Sequence, residues 1–96
     1  MPEYPGGQSA LLQYLARTIK YPEESQRKGE QGKVTVSFIV NKDGSLSDYK
    51  VVTGVTPLLD AEALRVLKLM PKWTPGKEKG KTVRVQYTVP VTFRLQ

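Results

Sequence analysis

The segment 81–95 alternates strictly between apolar and polar side chains, and this pattern constrains the fold more than any other feature. From residue 83 to residue 95 every odd position is apolar, and every even position between them is polar or proline. An alternation of period two, built largely from β-branched and aromatic residues, is typical of a strand with one buried face. The sequence therefore predicts a long, half-buried strand at the end of the chain.

Pro90 lies inside this segment and indicates how the strand sits in its sheet. Proline has no N–H to donate to a neighbouring strand, so within strands it is found at sheet edges. Because successive residues direct their backbone groups to opposite edges, we expect the even-numbered groups of residues 82–88 on an open edge. Such an edge can accept an extended peptide as an additional strand. The alternative is an ordinary edge strand without a partner, protected by proline and charge.

The composition restricts the chemistry that the chain can perform. The 96 residues contain no cysteine and no histidine, which excludes disulfides and the common nucleophile pairs and makes a transition-metal site unexpected. The carboxylates lie in polar surface segments, turns or helix caps, away from the apolar surroundings that would shift a pKa. We therefore expect a protein that is not an enzyme and needs no cofactor.

The charge distribution bears on the partner. A net charge of +6 favours an anionic partner, but the 15 Lys and Arg residues are scattered along the chain. Dispersed charge is typical of a solvated surface, so nucleic-acid binding is not expected. Binding to another anionic polymer, such as peptidoglycan, stays open.

Two amphipathic helices are predicted on either side of two strands. The first begins at Ser9, ends before Tyr21-Pro22, and has an apolar stripe of Leu11, Leu12, Leu15, Ala16 and Ile19. The second begins at Thr56-Pro57, with Thr56 or Asp60 as the cap, and ends at Pro71. Its buried stripe comprises Leu59, Ala63, Val66, Leu67 and Met70. A short polar helical turn closed by Gly29 is expected between the first helix and the first strand.

The two further strands form a predicted hairpin. The first spans Gly32–Asn41, the second Ser45–Thr53, and Asp43-Gly44 supplies the turn between them. The second strand alternates imperfectly, which indicates a bulge near Ser47-Asp48. A right-handed crossover through the second helix places the final strand beside the first. The predicted fold is α+β, with element order α-β-β-α-β and two helices on one face of a three-stranded antiparallel sheet of order 2-1-3.

The predicted domain covers residues 9–96. Residues 1–8, rich in proline and glycine, are expected to be the lead-in of a fragment excised from a longer protein. Trp73, in the loop after the second helix, is expected to cover the core or the sheet edge rather than to stack on a ligand.

Several motifs together resemble the TonB C-terminal domain family from Tyr21 to Leu95. These are Tyr21-Pro22, Gly32-Lys-Val-Thr-Val-Ser-Phe38, Lys42-Asp-Gly44, Leu59-Asp-Ala-Glu-Ala-Leu64, Pro71-Lys-Trp-Thr-Pro-Gly76 and Val89-Pro-Val-Thr-Phe93. The resemblance implies two helices on a three-stranded antiparallel sheet, in agreement with the order above. It also implies a periplasmic domain, joined in the full-length protein to an inner-membrane helix that is absent here.

The function implied by the resemblance is energy transduction. Such domains bind the TonB box, a short extended segment of outer-membrane transporters, as a strand added to the last strand, and they pass on proton-motive force from an ExbB–ExbD motor. The implied partner-binding residues are Tyr21, Arg84, Val85, Gln86, Tyr87 and Thr88. The backbone groups of Arg84, Gln86 and Thr88 would form the ladder, flanked by the side chains of Tyr21 and Arg84.

Three other functions stay open from the sequence. The same kind of domain occurs fused to membrane-bound sensors or proteases, as an interaction module. The open edge could instead pair with a second copy to form a homodimer. The basic surface could bind peptidoglycan.

Overall fold

The order of helices and strands follows the sequence prediction, with one small hairpin in addition. The computed structural model describes residues 1–95, and Gln96, the last residue of the predicted domain, lies outside them. The elements along the described chain are α1 (Gly7–Thr18), α2 (Glu23–Lys28), β1 (Gly32–Val40), β2 (Leu46–Thr53), α3 (Pro57–Lys68), β3 (Gly76–Glu78), β4 (Lys81–Val83) and β5 (Val85–Phe93).

Strand β1 lies at the centre of the main sheet. It pairs antiparallel with β2 on one side and with β5 on the other, giving the order β2-β1-β5 among the described residues. This arrangement confirms the predicted fold class and sheet order. The apolar side of β1 is fully buried, because its alternate residues Val34, Val36, Phe38 and Val40 form one core with the helices.

Helices α1 and α3 cover the apolar side of the sheet. Helix α3 is capped as predicted: the Thr56 hydroxyl oxygen accepts a hydrogen bond of 3.3 Å from the Leu59 N–H, and Pro57 occupies the first turn. Helix α1 begins at Gly7, two residues earlier than predicted, because Gly6 adopts a φ of 90° and turns the chain into the helix. Its buried residues are Leu11 and Leu15, whereas Leu12 is 56% exposed.

The predictions of a short helical turn before β1 and of a bulge in β2 are confirmed. The polar turn after Pro22 is helix α2, and it ends at Gly29 with a φ of 69°. Strand β2 carries a bulge, since one residue of β1 (Phe38) faces two of β2 (Asp48 and Tyr49) between the pairs Ser37–Lys50 and Ile39–Ser47. Asp48 within it has a φ of 55°. The bulge brings Leu46 and Tyr49 to the core, where both pack as partly buried residues.

The prediction of one continuous final strand is wrong at its beginning. The segment is interrupted at Arg84, and β4 pairs with β3 instead of the main sheet. Lys79 and Gly80 join these two strands, with φ values of 51° and 79°, which suit a tight two-residue hairpin loop. The alternation itself is confirmed, since the odd residues Val89, Val91 and Phe93 are buried while the even ones are exposed.

The N-terminal segment is packed against the body of the domain. Glu3 and Thr74 exchange backbone hydrogen bonds of 3.0 and 2.8 Å. The ring of Tyr4 meets Trp73 edge-on, with centroids 5.9 Å apart. Trp73 itself is only 3% exposed. The segment predicted as a lead-in therefore contributes to the packing around Trp73.

Candidate functional site

The outer side of β5 is an open strand edge. Strand β5 pairs with β1 along its whole length, and within residues 1–95 no strand pairs with its other side. In an edge strand, every second residue directs its backbone N–H and C=O away from the sheet, where they have no partner. The other edge of the main sheet is β2, whose pairing with β1 is interrupted by shifts of register.

The register of β5 decides which of its groups face outward. Pro90 lies opposite Thr35, and because proline has no N–H this must be a pair that exchanges no hydrogen bonds. Hydrogen-bonded and non-bonded pairs alternate in an antiparallel ladder. The backbone groups of Gln86 and Thr88 therefore point to the open edge, while those of Val85 and Tyr87 face β1. This is the parity that the sequence predicts.

The predicted start of the ladder needs correction. Thr82 belongs to β4 and lies opposite Lys77 in the separate hairpin. Arg84 falls in the gap between β4 and β5. Of the predicted segment 82–88, only Val85–Thr88 lies in the main sheet.

The side chain of Arg84 is held away from the open edge. Its Nε donates to the side-chain oxygen of Asn41 at 3.0 Å, and its Nη2 lies 3.6 Å from the carboxylate of Asp48. Asn41 follows β1 and Asp48 lies in β2, so the guanidinium extends across the sheet in the direction opposite to a strand added on β5. The expected flanking contact from this side chain is therefore not supported.

Tyr21 lies at the far end of the same strand. Its hydroxyl donates to the carbonyl oxygen of Glu30, and its ring meets Phe93 edge-on, with centroids 5.6 Å apart. The eight residue steps from Val85 to Phe93 span about 27 Å at the usual rise of a strand. Tyr21 and Arg84 therefore do not form one contact point, although the resemblance implies that both flank the ladder.

One feature beside the edge is missing from the sequence prediction. Helix α1 runs next to β5, and cavities lie between the helix and the strand. Leu12 is predicted on the buried stripe of α1, yet it lines both of these cavities and is largely exposed. The sequence does contain a signal for this feature: the apolar stripe of α1 is wider than the core requires.

Neither a metal centre nor a membrane span is found in the described chain. Across residues 1–95, no group of three or more acidic side chains is arranged to hold a metal ion. None of the helices in this range combines the length and apolarity needed to cross a bilayer.

The fold is that of a small α+β domain with β5 at an open edge of its sheet, and known proteins share this fold. The family described as Gram-negative bacterial TonB protein C-terminal matches residues 17–95. The chain therefore belongs to the TonB C-terminal family. Membership of this family agrees with the expectation that the chain is not an enzyme, since TonB proteins are energy transducers.

Similar proteins and structures support the same family. The chain is 32% identical over 97 residues to Protein TonB of Helicobacter pylori, covering 96% of this chain and 33% of that protein. Protein TonB of Pseudomonas putida is 29% identical over 95 residues, covering 95% and 38%. The solution structure of the Helicobacter pylori TonB C-terminal domain matches with a TM-score of 0.68 and 30% identity, over 88% of this chain and 77% of that one. The chain spans about a third of the length of these two TonB relatives.

Proposed function

We propose that this domain is the periplasmic end of a TonB-type energy transducer and that it binds an extended segment of outer-membrane transporters, the TonB box, on β5. The observation that carries the proposal is the open edge of β5. There the backbone groups of Gln86 and Thr88 face outward, while those of Val85 and Tyr87 face β1. Family membership supports the choice of partner.

The proposed ladder uses main-chain atoms. The outward groups of Gln86 and Thr88 would pair with the incoming peptide, while the apolar residues Val85 and Tyr87 anchor the strand to the sheet. Main-chain recognition tolerates different peptide sequences. A single domain could in this way serve several transporters.

The energetics favour weak binding. A ladder of roughly four hydrogen bonds contributes about 4 kcal/mol at about 1 kcal/mol per bond. Association costs about 4–15 kcal/mol in lost freedom, so side-chain contacts and tethering must supply the rest. A tether to the membrane would raise the effective concentration of the domain near its transporter.

The proposed energy transduction involves parts other than this domain. Transduction of proton-motive force requires an inner-membrane helix and contact with an ExbB–ExbD motor. These belong to the proposed full-length protein, of which this chain would form about one third by comparison with its relatives.

Self-association is the second candidate function, and the same edge favours it. Two copies could pair their β5 strands across a two-fold axis. The measured quantity that separates the candidates is the oligomeric state of the 96-residue chain without peptide. A monomer that binds peptide favours the transducer, and a stable dimer favours self-association.

The direct test is the substitution Gln86→Pro. It removes one outward N–H from the ladder and leaves the β1 side of the pairing untouched, as Pro90 does naturally. We expect a folded protein that has lost TonB-box binding in an NMR titration of the ¹⁵N-labelled chain. The matched control is Gln86→Ala, which keeps the N–H and should keep the binding. Normal binding by folded Gln86→Pro would show that the partner does not pair with this edge.

A further inference from the structure

A groove runs between α1 and the outer edge of β5, on the side of the sheet that carries the helices. One cavity of ≈ 50 Å³ lies beside residues 87–90 of the strand, and a second of ≈ 210 Å³ lies beside residues 90–92. Leu12, Leu15 and Ala16 of the helix, and Ile19 just after its end, line the groove. We call this feature the α1–β5 groove. None of the side chains that line its two cavities is charged.

The wall formed by α1 is held in place by contacts to α3. The Tyr14 hydroxyl donates to the carbonyl oxygen of Val66 at 2.8 Å. The Arg65 guanidinium donates to the carbonyl oxygen of Thr18, the last residue of α1, at 3.2 Å. Because the helix is anchored in its middle and at its end, the width of the groove is set by the fold before any ligand arrives.

The two cavities match the repeat of a strand. Val89 lines the smaller cavity and Val91 the larger one, and these two residues are about 7 Å apart along the strand. Side chains of an added strand that point to the helix side would lie opposite the odd residues of β5, because cross-strand neighbours share a face. Alternate side chains of such a strand would therefore arrive at the two cavities in turn.

We infer that the α1–β5 groove selects the peptide that adds to β5, by accepting a small apolar side chain opposite Val89 and a large one opposite Val91. This inference rests on the proposed strand addition and extends the peptide beyond Thr88. Pro90 offers no N–H there, so the contacts past Thr88 come from the groove and not from the ladder. A cavity of about 150 Å³ can hold a benzene ring, so the larger cavity has room for leucine or phenylalanine. The smaller cavity has room for one or two methyl groups.

The partner is therefore an extended, largely uncharged peptide rather than a folded surface. Unpaired backbone groups require an extended chain, and the uncharged walls require apolar side chains. Leu12 is 56% exposed beside both cavities, so the peptide would cover an apolar side chain that water now contacts. Helix α1 would then select among peptides that the backbone ladder alone could not distinguish.

The test compares two peptides on the 96-residue chain. Both are ten-residue peptides of alternating threonine and alanine with a glutamate at each end for solubility, and one carries a single central leucine in place of alanine. Affinities are measured by NMR titration of the ¹⁵N-labelled protein. Because the peptide can slide along the edge, the leucine can reach the larger cavity. We expect the leucine peptide to bind about tenfold more tightly.

Ala16→Leu then fills the larger cavity from the helix side. Ala16 is exposed and lies on a helix, where leucine is well tolerated. We expect this variant to bind both peptides with the affinity that the wild type has for the alanine peptide. The matched control is Gln13→Leu, which adds the same side chain to α1 at an exposed position outside both cavities and should keep the tenfold preference.

The possible results distinguish selection by the groove from strand addition on β5. Equal affinity of the wild type for both peptides, or a preference that survives Ala16→Leu, would overturn selection by the groove while leaving strand addition intact. Failure of both peptides to bind would overturn strand addition and the groove together. A dimer in sedimentation that Ala16→Leu dissociates would assign the groove to a second copy of the chain, against the inference.

Discussion

The carboxylate of Glu62 on α3 accepts a hydrogen bond of 2.7 Å from the backbone N–H of Lys20, two residues beyond the end of α1. The same carboxylate receives two hydrogen bonds from Arg65, at 2.8 and 2.7 Å. Glu62 therefore joins the end of α1 to α3, and it helps to define the position of the helix that walls the groove.

This contact predicts a pH-dependent contribution to stability. The hydrogen bonds from Arg65, and then that from Lys20, lower the pKa of Glu62 below its ordinary value. A lowered folded-state pKa gives stability that is present above the unfolded pKa of about 4.3 and is lost as the pH falls through the folded value. We expect Glu62→Gln to reduce the free energy of unfolding by about 1–2 kcal/mol at pH 7.

The difference between wild type and Glu62→Gln should shrink below about pH 4, measured by urea denaturation across the pH range. The control is Glu24→Gln, which breaks an exposed ion pair of 3.9 Å with Lys28 and should change stability by less than about 0.5 kcal/mol. A cost for Glu62→Gln that is the same at pH 3 and pH 7 would contradict the role of the charge.

Gly44 is the second position with a definite expectation. It has a φ of 88°, and a Cβ there would collide with the carbonyl oxygen of Trp73. The turn is joined to this loop by a 2.9 Å hydrogen bond from the Trp73 N–H to the Gly44 carbonyl. We expect Gly44→Ala to lower the free energy of unfolding by more than about 2 kcal/mol, from backbone strain and the collision together.

Gly80 provides the matched comparison for Gly44. Its φ is 79°, but a Cβ there would meet no atom within 4 Å. Gly80→Ala should therefore cost only the left-handed strain, about 1 kcal/mol. Thermal unfolding of the two variants gives the difference, and equal costs would mean that contact with Trp73 does not constrain the turn.

The side chain of Arg84 is not expected to contribute to peptide binding. The guanidinium is occupied by Asn41 and Asp48 on the far side of the strand, and both partners of the ion pair are exposed. We expect Arg84→Gln to change stability by less than about 1 kcal/mol and peptide affinity by less than about twofold. A tenfold loss of affinity in the folded variant would instead place the side chain against the peptide.

Much of the fold is predictable because its signals are local. Thr56-Pro57 can cap a helix with its own atoms, Gly29 can end one by its own φ, and the alternation in β1 needs no distant partner to predict a strand. The orientation of the open edge is predictable for the same reason, since Pro90 lacks an N–H wherever it is placed. Each of these features depends on residues that are close together in the sequence.

The remaining features depend on contacts between residues far apart in sequence. The break at Arg84 follows from the pairing of β4 with β3, although the alternation continues through it without change. The exposure of Leu12 follows from where α3 holds α1, and the packing of Tyr4 follows from the pairing of Glu3 with Thr74. No local pattern indicates the break at Arg84 or the packing of Tyr4. The wide apolar stripe of α1 was a signal for the groove, but it does not show which of its side chains the core leaves exposed.

Tyr21 is expected to stabilise the fold and not to contribute to peptide binding. Its hydroxyl bonds to the Glu30 carbonyl and its ring packs on Phe93, at the end of β5 opposite to Val85. We expect Tyr21→Phe, which keeps the ring and removes one hydrogen bond, to lower the free energy of unfolding by about 1 kcal/mol. Because the variant keeps the ring on Phe93 and the hydroxyl is engaged by Glu30, peptide affinity should stay within about twofold of the wild-type value. Urea denaturation and peptide titration of the same sample measure both effects, and a folded variant with a fivefold weaker affinity would place the Tyr21 hydroxyl in the binding site.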